Sequence, residues 1–194
     1  MNNQLPRQLD GVSVTVNGKA AYVYYVSSTQ VNALTPPDAL TGDVPVTVTV
    51  NGTASAAFRV AASSSAPALL TFSGTNYVAA THADGSLIGP ANLYPGATTA
   101  AQPGESVVLY GNGFGASSTA VVAGSPVQSG TLNPLPSVQI GGAPAAVQFA
   151  GLVSPGLFQF NVIVPPAAAD GDLPVAINSA GASIPSGVLL TVKR

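Results

Sequence analysis

Apolar and polar residues alternate with a period of two through most of the chain. Val12-Ser13-Val14-Thr15-Val16 sets valines on one face and hydroxyls on the other, followed by Asn17-Gly18 and the apolar run Ala20–Val26. Asn-Gly tolerates positive φ at both central positions of a two-residue type I′ turn, so this stretch predicts a β-hairpin. The same grammar recurs in Val44–Val50, Asn51-Gly52 and Thr53–Val60. Further strands are predicted at Glu105–Tyr110, Ser137–Ile140, Ala145–Phe149, Leu157–Val164, Leu173–Asn178 and Val188–Val192, and an Asp84-Gly85 turn between Tyr77–Thr81 and Ser86–Ile88. No stretch of helical length carries apolar residues at helical spacing free of Pro and Gly. The chain reads as all-β.

An internal repeat organises these strands. Val16-Asn17-Gly18-Lys19-Ala20-Ala21-Tyr22-Val23 lines up with Ile140-Gly141-Gly142-Ala143-Pro144-Ala145-Ala146-Val147. Gln30-Val31-Asn32-Ala33-Leu34-Thr35-Pro36-Pro37 then matches Gln159-Phe160-Asn161-Val162-Ile163-Val164-Pro165-Pro166, and Gly42-Asp43-Val44-Pro45-Val46 matches Gly171-Asp172-Leu173-Pro174-Val175. Two copies of one β-module are therefore expected, at residues 1–66 and 98–194, with a bridging hairpin and linker over 67–97. The copies are unequal. The second carries Pro103–Gly115 and a Ser/Gly-rich loop to Pro136 ahead of its repeated part, whereas the first has only Met1–Gly11 there. The first module is thus expected to lack its opening strands and to leave an open edge.

Composition narrows the partners. Apolar residues make up 46% of the 194, enough for a core, but charged residues only 6%, against roughly 25% in an ordinary soluble domain. Five Lys and Arg and a net charge of −2 cannot build a phosphate-tracking surface, so no nucleic-acid partner is expected. The absence of Cys and a single His exclude disulfides, thiolate metal sites and multi-histidine metal sites. No apolar run approaches a membrane span, and Met1–Pro6 lacks the basic and apolar regions of a signal peptide. Ser, Thr, Asn and Gly in place of Lys and Glu suggest an extracellular or cell-surface piece of an exported protein, with the export signal outside this chain.

Pro103-Gly104-Glu105-Ser106-Val107-Val108-Leu109-Tyr110-Gly111-Asn112-Gly113-Phe114-Gly115, followed by Val138–Ala145, resembles an IPT/TIG-type immunoglobulin-like domain. Gly11–Gly18, Gln30-Val31-Asn32, Ala83-Asp84-Gly85-Ser86 and Leu109–Gly115 resemble, more narrowly, the Solibacter-type C-terminal repeat of secreted bacterial proteins. The resemblance implies two tandem immunoglobulin-like β-sandwich domains near the C-terminus of a large secreted or surface protein. It implies no reaction, cofactor or catalytic residue.

Few residues offer chemistry. His82, beside Asp84, is the one candidate base at neutral pH. A hydrolase would require it to activate a hydroxyl beside an oxyanion hole, and no Gly-x-Ser-x-Gly elbow accompanies it; an exposed hairpin tip is the expected setting. Asp170-Gly171-Asp172 is the closest carboxylate pair, but calcium takes six to eight oxygens, so a turn is expected there and no metal. The Gly111–Gly115 glycines lack the helix and Lys of a phosphate loop. Lys19 and Lys193 with Glu105 are the components available for a self-formed Lys–Asn bond, though solvated lysines are the expectation.

Tyr22, Tyr24 and Tyr25 are the candidate binding residues. Strict alternation puts Tyr22 and Tyr24 on one face and Val23 and Tyr25 on the other, one set in the core and the other free to form an aromatic platform. The functional expectation is a non-catalytic spacer, display or surface-assembly unit, partnered by other domains of its parent protein. Two alternatives stay open. One is a self-assembling filament or surface-layer subunit, formed by strand complementation at the open edge. The other is an adhesion module binding polysaccharide or protein through the tyrosines or end loops such as Phe114–Pro136.

Overall fold

The computed structural model describes residues 4–194, and every regular element among them is a strand. Met1–Asn3, part of the segment read for an export signal, lie outside the described residues. The chain divides into two units: one runs through Ser64 and includes Ala120–Gln128, the other comprises Ser65–Thr119 and Ser129–Arg194. No helix among the described residues is long and apolar enough to cross a membrane.

The first unit contains β1 (Gln8–Leu9), β2 (Val12–Val16), β3 (Lys19–Ala20), β4 (Tyr22–Val26), β5 (Val31–Leu34), β6 (Gly42–Val50), β7 (Thr53–Ala54) and β8 (Phe58–Ala62). Asn17 and Gly18 take φ of 50° and 74° and fold β3 back on β2, as the sequence predicts. β2 then pairs with β6, and β6 with β8, in a six-stranded antiparallel sheet. The predicted single strand Ala20–Val26 is instead two. It breaks at the fully buried Ala21, and β4 leaves the sheet of β3 to pair with β5 in a separate two-stranded sheet. Val14, Val16 and Val44 from the first sheet meet Ala21 and Val23, while Val31 and Ala33 on β5 pack against them half-buried.

The second unit contains β9 (Ala68–Leu69), β10 (Ala80–Thr81), β11 (Leu87–Ile88), β12 (Thr98–Thr99), β13 (Ser106–Asn112), β14 (Gly130–Thr131), β15 (Ser137–Ile140), β16 (Ala143–Ser154), β17 (Leu157–Ile163), β18 (Gly171–Ser179), β19 (Ala182–Ser183) and β20 (Leu189–Val192). β16 pairs first with β15 and then with β17, so one strand serves both layers of the sandwich. Val107, Leu109, Phe160 and Val162 from one layer face Val138, Ile140, Val175, Ile177, Leu190 and Val192 from the other, all fully or nearly fully buried. The β10–β11 hairpin adds to the edge of β13, and β9 pairs with the end of the same strand.

The sequence repeat is a repeat of strand register. Val16 lies opposite Val46 as its counterpart Ile140 lies opposite Val175, and Thr49 opposite Ala54 as Asn178 opposite Ser183. Tyr22–Leu34 and Val23–Ala33 correspond to Ala146–Ile163 and Val147–Val162. Even the irregularity recurs, between Val23 and Tyr25 in one copy and between Val147 and Phe149 in the other. Each is a β-bulge, one extra residue that bends the strand and resets its alternation.

Candidate functional site

The bulge decides where the tyrosines go. Strict alternation would send Val23 and Tyr25 to the same face, but the extra residue at Tyr24 moves Tyr25 across. Tyr22 and Val23 are buried, whereas Tyr24 and Tyr25 are about half exposed (45% and 46%). The predicted pairing of Tyr22 with Tyr24 on one face, core or platform, therefore fails, because alternation does not survive an inserted residue. Tyr22 lies against the backbone of Gly124. The Arg7 guanidinium carbon sits 5.3 Å from its ring centroid and Arg7 Nη2 donates to the Tyr22 hydroxyl at 3.5 Å. Beside it opens a shallow cavity of about 450 Å³ bordered by Lys19, Pro36, Pro37 and Asp38. Lys19 Nζ donates to Asp38 Oδ1 at 2.7 Å across this rim.

In the second unit, His82 is held from both ring nitrogens. Nδ1 lies 2.5 Å from Glu105 Oε1 and Nε2 lies 2.9 Å from Thr99 Oγ1. The other Glu105 oxygen accepts the backbone N–H of Gln102 at 2.8 Å. His82, Thr99, Gln102 and Glu105 border an open cavity of about 600 Å³ with Asp84 and Ser86. The carboxylate partner is thus Glu105, not the neighbouring Asp84. Asp84 is exposed, and its Oδ1 accepts both the hydroxyl (2.6 Å) and the backbone N–H (2.9 Å) of Ser86. The Ser86 hydroxyl is the first cause that lowers the Asp84 pKa below its ordinary 3.8.

Sequence reasoning missed Glu105 and Thr99 as partners of His82. The carboxylate–imidazole–hydroxyl order is that of a nucleophile relay. Here the same three side chains join the β10–β11 hairpin to β12 and to the Gln102–Glu105 turn entering β13. These contacts pin the hairpin to its neighbours.

The remaining candidates are dispersed. Asp172 accepts hydrogen bonds from Tyr77 (2.8 Å) and Thr191 (2.6 Å), and Asp170 accepts the Arg194 backbone N–H at 3.1 Å. Both carboxylates thus tether neighbouring strands. Among the described residues, no three His, Cys, Asp or Glu side chains gather as metal ligands. Gly111 serves close packing: a Cβ there would meet the Ala68 carbonyl at 2.6 Å and the Phe114 ring at 2.8 Å. Glu105 is bound to His82 and Lys19 to Asp38, so two of the three side chains named for a Lys–Asn cross-link are engaged with other partners.

No curated protein matches the chain. Solved structures with similarity include the Bacteroides ovatus mixed-linkage glucan utilization locus SGBP-B in complex with mixed-linkage heptasaccharide, at 13% identity and a TM-score of 0.33. Another is the gamma-CGTase from alkalophilic Bacillus clarkii, at 17% identity and a TM-score of 0.34. The alignments cover 94% and 95% of this chain but only 37% and 23% of those two chains. The family comparison falls on the first copy of the repeat: residues 4–72 match the family model of the IPT/TIG domain, consistent with an IPT/TIG-type immunoglobulin-like repeat.

Proposed function

We propose that the chain is a non-catalytic structural module that spaces or displays parts of a larger extracellular protein. The observation that carries this reading is what the two copies share and what they do not. Strand register and bulge are repeated, while the polar candidates are not: Tyr22, Tyr24 and Tyr25 face Ala146, Gln148 and Phe149 in the alignment. His82 and its partner Thr99 fall in a segment, Leu69–Ala101, with no counterpart in the first copy. A framework kept twice, with no candidate chemistry repeated between the copies, fits a part whose work is mechanical. The IPT/TIG domain and the charge-poor composition support placing it in an exported protein.

The test is turnover. Activated esters and aryl glycosides incubated with the protein and with its His82→Ala variant should be hydrolysed no faster than in buffer. Hydrolysis present in the wild type and lost in the variant would overturn the non-catalytic reading.

A second reading, binding of polysaccharide, rests on Tyr24 and Tyr25, two neighbouring residues left about half exposed at the bulge. Amphipathic rings at a surface suit sugar faces. Glycan-array binding that falls in Tyr24→Ala and Tyr25→Ala would favour it, and an array without hits would remove it.

A further inference from the structure

Although no candidate group recurs intact, the two copies share one arrangement of side chains outside their cores. Just past each bulge stands an aromatic residue opposite an asparagine: Tyr25 opposite Asn32 in the first copy, Phe149 opposite Asn161 in the second. The glutamine two positions before that asparagine donates to it, from Gln30 Nε2 to Asn32 Oδ1 at 2.6 Å and from Gln159 Nε2 to Asn161 Oδ1 at 2.8 Å. Tyr25 and Gln30 are exposed, while Asn32, Phe149, Gln159 and Asn161 are half-buried. None of the six belongs to a core cluster, so core packing does not account for the repeat.

In the second unit the amide pair lies in the middle of a sheet face. β17 has β16 on one side and β13 on the other. Phe158, Phe160 and Val162 are buried in the core, so the alternate residues Gln159 and Asn161 face outward. Gly151, Gln159 and Tyr110 form one row across the three strands. A Cβ on Gly151 would meet Cζ of the Phe149 ring at 3.0 Å, so the ring reaches over the glycine and into this row. The amides are thereby flanked by Phe149 and Tyr110, whose strands are two spacings, about 10 Å, apart. The bond between the amides leaves Gln159 Oε1 and Asn161 Nδ2 without a partner among the described residues, and both atoms open to solvent, since no partnerless polar side-chain atom is buried. No charged side chain stands in this row or in the neighbouring one, Phe149, Asn161, Val108 and Thr81.

We propose that this face of the second unit binds a neutral polysaccharide, with one sugar ring against Phe149, the next against Tyr110, and their hydroxyls bonded to Gln159 Oε1 and Asn161 Nδ2. The chemistry selects the class. Neighbouring sugar hydroxyls donate and accept at once, matching one free acceptor beside one free donor group. The C–H faces of a pyranose suit aromatic rings, and the spacing of the two ring-bearing strands is the length of a disaccharide unit. The face offers no cation to grip a uronate or sulfate by charge-assisted hydrogen bonds, and no carboxylate to grip an amino sugar. The first copy carries the same ring and amides as a half-site at Tyr25, Gln30 and Asn32. This inference rests on the polysaccharide reading above and gives it a seat in the second unit.

The test runs the whole chain in native gels cast with hydroxyethyl cellulose, xylan, galactomannan or soluble starch, with polygalacturonate as the charged control. Retardation is expected in at least one neutral gel and not in polygalacturonate. A short oligosaccharide of the retarding polymer is then titrated into the chain, and the side-chain amide signals are followed by NMR. Those of Gln159 and Asn161 should shift, a readout that needs no variant to fold. Asn161→Ala and Tyr110→Ala should each weaken binding at least about fivefold. Binding that leaves both amide signals unmoved, or that is undiminished in both variants, would overturn this seat and leave the polysaccharide reading to Tyr24 and Tyr25. Retardation by polygalacturonate alone would overturn the neutral ligand, and retardation in no gel would overturn the seat and the polysaccharide reading together.

Discussion

Gly124 lies against the ring of Tyr22 so closely that a Cβ on Gly124 would overlap Cε1, Cδ1 and Cζ of the ring. Its φ of 71° is in the left-handed region, and its carbonyl accepts the Leu5 backbone N–H at 2.7 Å. Ala120–Gln128, from within the Ser/Gly-rich stretch, thereby packs as part of the first unit.

Gly124→Ala therefore meets two penalties at once, steric overlap with an aromatic ring and a disfavoured backbone conformation. The expected cost is about 1–3 kcal/mol, read from urea unfolding of the first unit. Combining it with Tyr22→Ala removes the clash but not the backbone strain, so the double variant should lose less than the sum of the two single losses. Strict additivity would show that Gly124 and Tyr22 do not touch.

Tyr77 donates to Asp172 at 2.8 Å, and this bond, with burial and the Asp172 charge behind it, raises the phenol pKa above its ordinary 10.0. The folded state favours the neutral phenol. Its contribution to stability is complete below the unfolded value of 10.0 and is lost as pH rises through the elevated folded value. Near-ultraviolet titration should show one tyrosine ionising later than an ordinary phenol. In Asp172→Asn that component should move back toward 10.0, and an unchanged titration curve would refute the assignment.

The His82 pin predicts a pattern of coupled losses. His82→Ala and Thr99→Val each remove the 2.9 Å contact between their side chains. Each should cost roughly 0.5–1.5 kcal/mol, the net range for a hydrogen bond, and the double variant less than the sum. Hydrogen exchange should quicken first in β10 and β11, the hairpin that His82 holds to β12 and β13. A loss spread evenly across the unit would contradict a local pin.

Hairpins and repeat were legible in the sequence because their signals are local and compositional. Asn17-Gly18 and Asn51-Gly52 demand positive φ, and the structure uses them so. The bulge at Tyr24 was not legible. Tyr22–Val26 is an unbroken apolar and aromatic run, with no glycine or proline to mark an inserted residue, so alternation was carried through it. His82 and Glu105 are 23 positions apart and meet because β10 lies against β13, a pairing that neither segment's periodicity encodes. The adjacent Asp84 drew attention by sequence proximity, yet its carboxylate is occupied by Ser86.

Phe160 and Val31 hold equivalent places in the two copies, which makes them a matched measure of how complete each core is. Phe160 is fully buried, with the ring of Phe114 4.5 Å away between centroids, so Phe160→Ala should cost about 3–5 kcal/mol. Val31 packs against its core from the strand edge and remains half-buried. Val31→Ala should cost only about 1 kcal/mol, below the usual range for emptying a filled core site. Chemical unfolding of the two variants checks both values. If Val31→Ala proves as damaging as Phe160→Ala, the edge of β5 already carries a full core contact, and the difference in burial between the two copies loses its energetic meaning.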